Sequence, residues 1–90
     1  MAKVVLKGYI IVTDEDLLAI KQELENHKKL TCAEEGCLVF EVTQSDDNPN
    51  RFEVYEEFTD KEAFEKHQVR VKSSYWGEVS ANVERHYEIE

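Results

Sequence analysis

His67 is the residue in this chain whose chemistry is best suited to proton transfer, and it follows closely on an acidic and aromatic strand. Imidazole gains and loses a proton near neutral pH. Alternation along residues 51–58 places Glu56 and Phe58 on one side of that strand, and a helix starting at Asp60 then carries His67 towards them. We predict that His67 is a general base and that Glu56, within hydrogen-bond reach, orients its other ring nitrogen. The alternative is a buried polar pair that only stabilises the fold.

Aromatic rings and two polar side chains could surround such a base. The rings would form the walls of a small pocket, and the polar groups would anchor a phenolate or a carbonyl. The same rings would serve equally well as ordinary core residues. The predicted pocket residues are Phe40, Phe52, Phe58, Phe64 and Trp76 as walls, with Arg70 and Tyr75 as anchors.

The pattern of apolar residues predicts which elements position these groups. Strands are expected at residues 4–12, 37–44, 51–58 and 83–89, where β-branched and aromatic residues are frequent. Helices are expected from Thr13 or Asp14 to about Lys29, and from Thr59 or Asp60 to a point between Ser73 and Gly77. The order βαββαβ predicts an α+β, ferredoxin-like fold, in which an antiparallel sheet carries both helices on one face.

The first strand predicts that the other face of the sheet is also covered. Val4, Leu6 and Ile10 alternate with Val5, Tyr9 and Ile11, so both sides of this strand are largely apolar. In the second strand, Leu38, Phe40 and Val42 are expected on one side and Val39 on the other. Since residues 1–90 are expected to form a single domain, the simplest cover is a second subunit. The face bearing Val5, Tyr9 and Val39 is therefore predicted to be buried in a homodimer.

Composition excludes several classes of partner. The net charge of −9 argues against nucleic acid and against an anionic membrane surface. No apolar stretch is long enough to span a bilayer, and a cytoplasmic protein is expected. Cys32 and Cys37 have neither redox nor zinc-site spacing, so no disulfide or metal is predicted. His27 lies near the end of the first helix and is predicted to be a surface or edge histidine.

These residues together resemble the antibiotic biosynthesis monooxygenase family of dimeric α+β barrels. The resemblance rests on the Glu35-Gly36-Cys37 turn, on the run from Phe52 through Glu56 and Phe58 to Asp60, and on Ala63 and His67. It implies two subunits with their sheets face to face, and a pocket in each between sheet and helices. Relatives include cofactor-independent monooxygenases of quinol-like aromatics, haem-degrading enzymes and an enzyme that processes a phosphorylated signalling molecule.

The chain departs from this pattern in two places. The first strand lacks the Asn of the haem-degrading branch, and Phe58 stands where that branch has Trp, which disfavours haem degradation. A second His that many relatives carry beyond the position of His67 is absent from residues 68–72.

The function expected is therefore a monooxygenase that needs no cofactor and oxidises a small aromatic or quinol-like substrate with O2. The alternatives are an isomerase of a small carbonyl metabolite that uses His67 for proton transfer, and a family member that binds a small molecule or serves in assembly. Oxygen consumption with a hydroquinone would separate the first from the others.

Overall fold

Four strands and three helices make up the chain in a computed structural model, which describes residues 3–90. The elements are β1 (Val4–Ile11), α1 (Asp14–Cys32), β2 (Cys37–Gln44), β3 (Arg51–Phe58), α2 (Lys61–Lys72), α3 (Tyr75–Val79) and β4 (Glu84–Ile89). The predicted ferredoxin-like α+β fold is confirmed. None of the described helices is both long enough and apolar enough to cross a membrane.

The sheet is antiparallel throughout, with the strand order β2-β3-β1-β4. β3 is a central strand: Glu56 is registered against Leu6 of β1 on one side and Phe40 of β2 on the other. Directly opposed residues share a face, so these three side chains point to the helices together. This register brings a carboxyl group into an otherwise apolar layer.

Both predicted helices begin where the sequence indicates. Asp60 accepts a hydrogen bond from the backbone N–H of Ala63 at 2.8 Å and so caps α2. Thr13 is the N-cap of α1, but its hydroxyl bonds to the Asp16 carboxylate instead of to the backbone. Helix α1 continues to Cys32, three residues beyond the predicted end at Lys29. Its buried positions recur at helical spacing, at Ile20, Leu24, His27 and Thr31.

The core lies between one sheet face and the helices. The prediction that Glu56 and Phe58 lie on one side of this strand is confirmed: both are buried, as are Phe52 and Val54, which alternate with them along β3. Phe52 and Val54 belong to one apolar cluster with Leu6 and Ile10 of β1 and with the buried side of α1. Burial of these apolar side chains is the main stabilising term of the fold.

Two local expectations are wrong. Leu38 is 54% exposed rather than sharing a face with Phe40, because the β2–β3 register shifts between Cys37 and Val39. Such a bulge breaks the alternation on which the prediction relied. Helix α2 ends at Lys72, just before the predicted range from Ser73 to Gly77, and the segment after it is a third helix, α3, in which the Ser74 hydroxyl accepts a hydrogen bond from the Gly77 backbone at 3.2 Å.

The sheet face away from the helices is more polar than β1 alone indicates. Its positions on β1 include Val5 and Tyr9, but β3 and β4 contribute mainly charged side chains, among them Glu53 and Glu88. The apolar residues of β1 alone therefore overstate how apolar this face is.

Candidate active site

His67 is buried and has a carboxylate partner, Glu34, that the sequence pattern does not indicate. Its Nδ1 lies 2.7 Å from Oε1 of Glu34, and only 4% of the His67 side chain is exposed. A carboxylate oxygen accepts, so Nδ1 carries the proton in this bond and Nε2 is left as the basic nitrogen. Burial lowers the pKa of His67, and the bond to Glu34 opposes that lowering. A neutral imidazole with one defined basic nitrogen is what a general base requires.

Glu34 is held in turn by Arg70. The guanidinium Nε donates to Oε2 of Glu34, and a terminal nitrogen of Arg70 donates to the buried hydroxyl of Thr31 at 2.9 Å. These bonds connect the end of α1, the loop before β2 and helix α2. Arg70 therefore has a defined place beside the site, where it orients the carboxylate.

The prediction that His67 and Glu56 lie within hydrogen-bond reach of each other is wrong. Oε1 of Glu56 is 3.8 Å from Nε2 of His67, beyond hydrogen-bond distance, and it has no hydrogen-bond partner among residues 3–90. Burial, with a smaller effect from Glu34, raises the pKa of Glu56 to about 7. Glu56 is therefore partly protonated at neutral pH and faces the basic nitrogen of the imidazole as a potential proton donor.

Of the four phenylalanines predicted as pocket walls, three lie at or next to His67 and one does not. Phe58 and Phe40 lie beside the imidazole of His67, with ring centroids 5.0 Å and 6.1 Å away. Phe64 packs edge-on against Phe58. Phe52 is 2% exposed within the central core cluster, and no ring contact joins it to His67 among the described residues.

The two remaining predicted residues lie in different surroundings although they are adjacent in sequence. Trp76 is buried and stacks on the imidazole of His27, with ring centroids 4.5 Å apart. Tyr75 is 60% exposed, so the structure does not bring its hydroxyl to His67. Adjacent residues of a helix point in different directions, which separates the two.

The prediction that His27 is a surface or edge histidine is wrong. Only 4% of it is exposed, and its ring centroid is 6.0 Å from that of His67. Phe40 packs edge-on against it. Burial, together with the nearby His67 and Arg70, lowers the pKa of His27 to about 3, so this imidazole is neutral at physiological pH. The helical spacing from Ile20 and Leu24 carried this information, but its place near the helix end favoured the opposite interpretation.

A cleft of about 520 Å³ reaches the outer side of His67. It lies between the loop before β2 and helix α2, and its lining includes Glu34, Gly36, Ala63 and Arg70. Gly36 has a φ of +94°, and a Cβ there would lie 2.7 Å from the Cβ of Ala63. Glycine at this position therefore allows the loop that bears Glu34 to lie against α2.

No cluster of three or more histidine, cysteine, aspartate or glutamate side chains suited to a metal ion is found within residues 3–90. Cys32 and Cys37 are free thiols, and burial raises the pKa of Cys37 to about 11. The groups placed for chemistry are thus an imidazole, two carboxyl groups and a guanidinium.

Solved structures share this fold along the whole chain. A conserved protein of Bacteroides thetaiotaomicron, of unknown function and described as a possible oxidoreductase, is 16% identical with a TM-score of 0.83, over 99% of this chain and 96% of that one. A provisionally named antibiotic biosynthesis monooxygenase of Nitrosomonas europaea is 22% identical with a TM-score of 0.77, over 98% and 86% of the two chains. A similarly named protein of Deinococcus radiodurans is also 22% identical, with a TM-score of 0.76 over 97% and 87%.

The search of curated proteins finds no match. The model of the family described as antibiotic biosynthesis monooxygenase matches residues 4–75, from β1 to the first residue of α3. That range contains His67, Glu34, Glu56 and Arg70. The chain therefore belongs to the antibiotic biosynthesis monooxygenase family.

Proposed function

We propose that this protein is a monooxygenase that oxidises a quinol-like aromatic with O2, with His67 as the general base. The observation that carries the proposal is the 2.7 Å bond from His67 Nδ1 to Glu34, which leaves Nε2 basic within a layer of aromatic rings. Family membership supports oxygenase chemistry in general. The identity of the aromatic substrate is part of the proposal.

The reaction follows from what a deprotonated quinol can do. Nε2 of His67 removes a phenolic proton, which Glu34 favours because its carboxylate stabilises the imidazolium that forms. The electron-rich phenolate then transfers an electron to O2, and the two combine to form a C–O bond on the ring. One oxygen atom stays on the ring as the hydroxyl of a hydroxyquinone, and the other leaves as water. The quinol supplies all the electrons, so the balance needs no further reductant.

Glu56 has a separate role in this scheme. With a pKa of about 7 it holds its proton for much of the time at neutral pH. It can therefore donate a hydrogen bond to a quinol oxygen or return a proton to the departing oxygen. The rings of Phe40 and Phe58 keep the site apolar, which strengthens both charge interactions.

The test is oxygen uptake with a panel of hydroquinones and anthrones. Removal of a general base costs about 100-fold or more in rate, so His67→Ala is expected to lower uptake by that amount. Glu34→Gln is expected to lower it less and to shift the pH profile, because the imidazolium loses its counter-charge. Glu25→Gln, an exposed position on α1, is the control and is expected to match the wild type. Uptake that survives His67→Ala unchanged would reject the assignment.

Proton transfer without oxygen is the second candidate, and the pKa of Glu56 favours it. A partly protonated carboxyl group 3.8 Å from a basic imidazole nitrogen is a suitable acid–base pair for enolisation of a carbonyl compound. Solvent deuterium incorporation into a carbonyl substrate under anaerobic conditions, lost in His67→Ala, would identify an isomerase. Absence of both activities from the folded protein would leave a binding or assembly role.

A further inference from the structure

Glu56 is a carboxyl group enclosed in the apolar layer between the sheet and the helices. It is 6% exposed, and its buried Oε1 has no hydrogen-bond partner among residues 3–90. Buried polar atoms in folded proteins are almost always paired, so an unpaired one needs an explanation. In the proposed reaction this group gives up a proton and later regains one, so it needs a path by which protons travel to and from water.

His67 lies between Glu56 and a carboxylate that reaches the surface. Its Nε2 is 3.8 Å from Oε1 of Glu56, and its Nδ1 is 2.7 Å from Oε1 of Glu34. Glu34 lines the cleft of about 520 Å³ beside α2, and 18% of its side chain is exposed. A surface carboxylate, an imidazole and a buried carboxyl group therefore form one row, in which the imidazole has a nitrogen towards each neighbour.

The inner step of this row is the longer one. At 3.8 Å it exceeds an ordinary hydrogen bond by about 1 Å. The terminal torsion of a glutamate side chain has a broad energy minimum, so a small rotation of the Glu56 carboxyl group brings Oε1 within reach of His67. The outer step, from Nδ1 to Glu34, is already a hydrogen bond.

The other ionisable groups close to Glu56 do not connect it with the cleft. Burial raises the pKa of Cys37 on β2 and of Tyr87 on β4, and the charge of Glu56 adds to both shifts, so these two groups lie near it. The Cys37 thiol donates to a backbone carbonyl of its own strand. On α1, Nδ1 of His27 has no partner within the described part of the chain. None of these three groups is hydrogen-bonded to Glu56 or Glu34 among residues 3–90.

We propose that Glu34 and His67 form a proton relay that connects Glu56 with water in the cleft beside α2. This rests on the proposed function for the use of the protons and extends it, because it assigns Glu34 as the group that exchanges them with water. The cleft is then the place where protons enter and leave the site.

The relay balances over one catalytic cycle. Outwards, Nε2 of His67 accepts a proton from the inner side, Nδ1 releases its own proton to the Glu34 carboxylate, and Glu34 releases that proton to water. Inwards, the same steps run in reverse. Each passage converts the neutral imidazole from one tautomer to the other. The proposed reaction removes one proton and returns one, so an outward and an inward passage together restore the first tautomer.

The relay is tested in the resting protein, without substrate, by time-resolved infrared spectroscopy. Light-triggered release of acid from 2-nitrobenzaldehyde lowers the pH from above to below the Glu56 pKa of about 7. The carbonyl band of protonated Glu56 is identified by its absence from Glu56→Gln. His67→Phe keeps an aromatic ring and removes both nitrogens, so this band is expected to appear about 100-fold more slowly or worse, as for a lost proton-transfer group. His27→Phe, the same change at the neighbouring buried imidazole, is the matched control and is expected to keep the wild-type rate.

Variants of Glu34 separate proton transfer from positioning. Glu34→Gln keeps an oxygen that accepts from Nδ1 but cannot carry a proton, and is expected to slow the band to a similar extent as His67→Phe. It also provides the test if His67→Phe does not fold. In Glu34→Ala, added formate is expected to restore the rate, because Arg70 remains to bind a small carboxylate. Rescue rates that follow the pKa of a series of small carboxylic acids identify proton transfer, which a positioning role does not produce.

Three results would overturn the relay. If the band appears as fast in His67→Phe or in Glu34→Gln as in the wild type, protons reach Glu56 by another path. If Glu34→Ala is slow and no small acid restores it, Glu34 only positions the imidazole. If Glu56→Gln removes no band, Glu56 does not exchange protons in this range. Relay kinetics without any oxygen uptake would reject the monooxygenase and retain the relay, and uptake that depends on His67 with unchanged Glu56 kinetics would do the reverse.

Discussion

At the scale of single residues, the site depends on how burial and partners set the charge of each group. Glu34 gives His67 a defined proton position, whereas Glu56 has no partner among residues 3–90 and its pKa rises to about 7. The pKa of His27 is shifted further from its usual value than that of Glu56, down to about 3. The two carboxyl groups thus differ in their hydrogen bonding, and the two imidazoles differ in pKa, because their surroundings differ.

Glu56 makes the free energy of unfolding depend on pH in a predictable direction. Its pKa is about 7 in the folded protein against the usual 4.5 of a glutamate, so the folded state binds more protons between these values. The contribution of this residue to stability therefore falls as pH rises through that range and is lowest above pH 7. Glu56→Gln removes the term, so the variant should gain about 2–3 kcal/mol relative to the wild type between pH 4.5 and pH 8.

Urea unfolding of both proteins across this pH range measures the effect. Subtracting the two profiles cancels the histidines, whose lowered pKa values reduce stability at acidic pH instead. Glu65→Gln, on the exposed side of α2, is the control and should show no pH-dependent difference. A difference between Glu56→Gln and the wild type that stays constant with pH would contradict the prediction.

At the scale of elements, the loop between α1 and β2 decides where Glu34 lies. Gly36 allows a close approach to α2, and its carbonyl accepts a hydrogen bond from the Thr59 backbone at 2.9 Å. The same loop is followed by the bulge that turns Leu38 outwards. The geometry of the candidate site thus depends on irregular backbone that joins regular elements, a common location for functional groups.

Gly36→Ala should separate this loop from α2. The positive φ and the 2.7 Å approach to the Ala63 Cβ both oppose a side chain, so the free energy of unfolding should fall by about 1–3 kcal/mol. Oxygen uptake should fall as well, since the contact of Glu34 with His67 spans this junction. The double variant Gly36→Ala/Ala63→Gly removes the side-chain contact and should recover part of the loss. Stability of the double variant equal to the sum of the two single effects would argue against direct contact.

At the scale of the whole molecule, the sheet face away from the helices remains open in a single chain. Tyr9 stacks on His86 with centroids 4.6 Å apart, and the Arg51 guanidinium lies 3.8 Å from the centre of the Tyr9 ring. A concave space of about 670 Å³ lies over these residues. We propose, as the resemblance to dimeric α+β barrels implies, that a second copy of the chain covers this face.

This dimer should be sensitive to salt and to charge. Glu41, Glu53 and Glu88 line the concave space together with Lys7 and Arg51, so each face keeps a small excess of negative charge, and added salt should strengthen the dimer slightly by screening the repulsion. Tyr9→Glu should shift it to a monomer while the far-UV circular dichroism is retained. Leu18→Glu, at an exposed position of α1, is the control. Light scattering that gives a monomer for the wild type at millimolar concentration and high salt would reject the dimer.

The sequence by itself determined the order of elements, the cap at Asp60 and the inward set on β3. These depend on local periodicity and on hydrogen bonds between residues three or four apart, which a sequence displays directly. It also identified His67 and placed Glu56 on the face towards it. The same periodicity places His27 in line with the buried Ile20 and Leu24, but its position near the helix end led to the wrong prediction of a surface or edge residue.

Only the tertiary structure decided which groups meet. Glu34 and His67 are 33 residues apart, and their contact depends on how the loop at Gly36 lies against α2. The outward turn of Leu38 depends on one register shift, and the exposure of Tyr75 on the direction of a five-residue helix. Such features arise from packing between distant segments, for which no short-range pattern exists. The fold could therefore be predicted from local rules, while the hydrogen-bond partner of His67 could not.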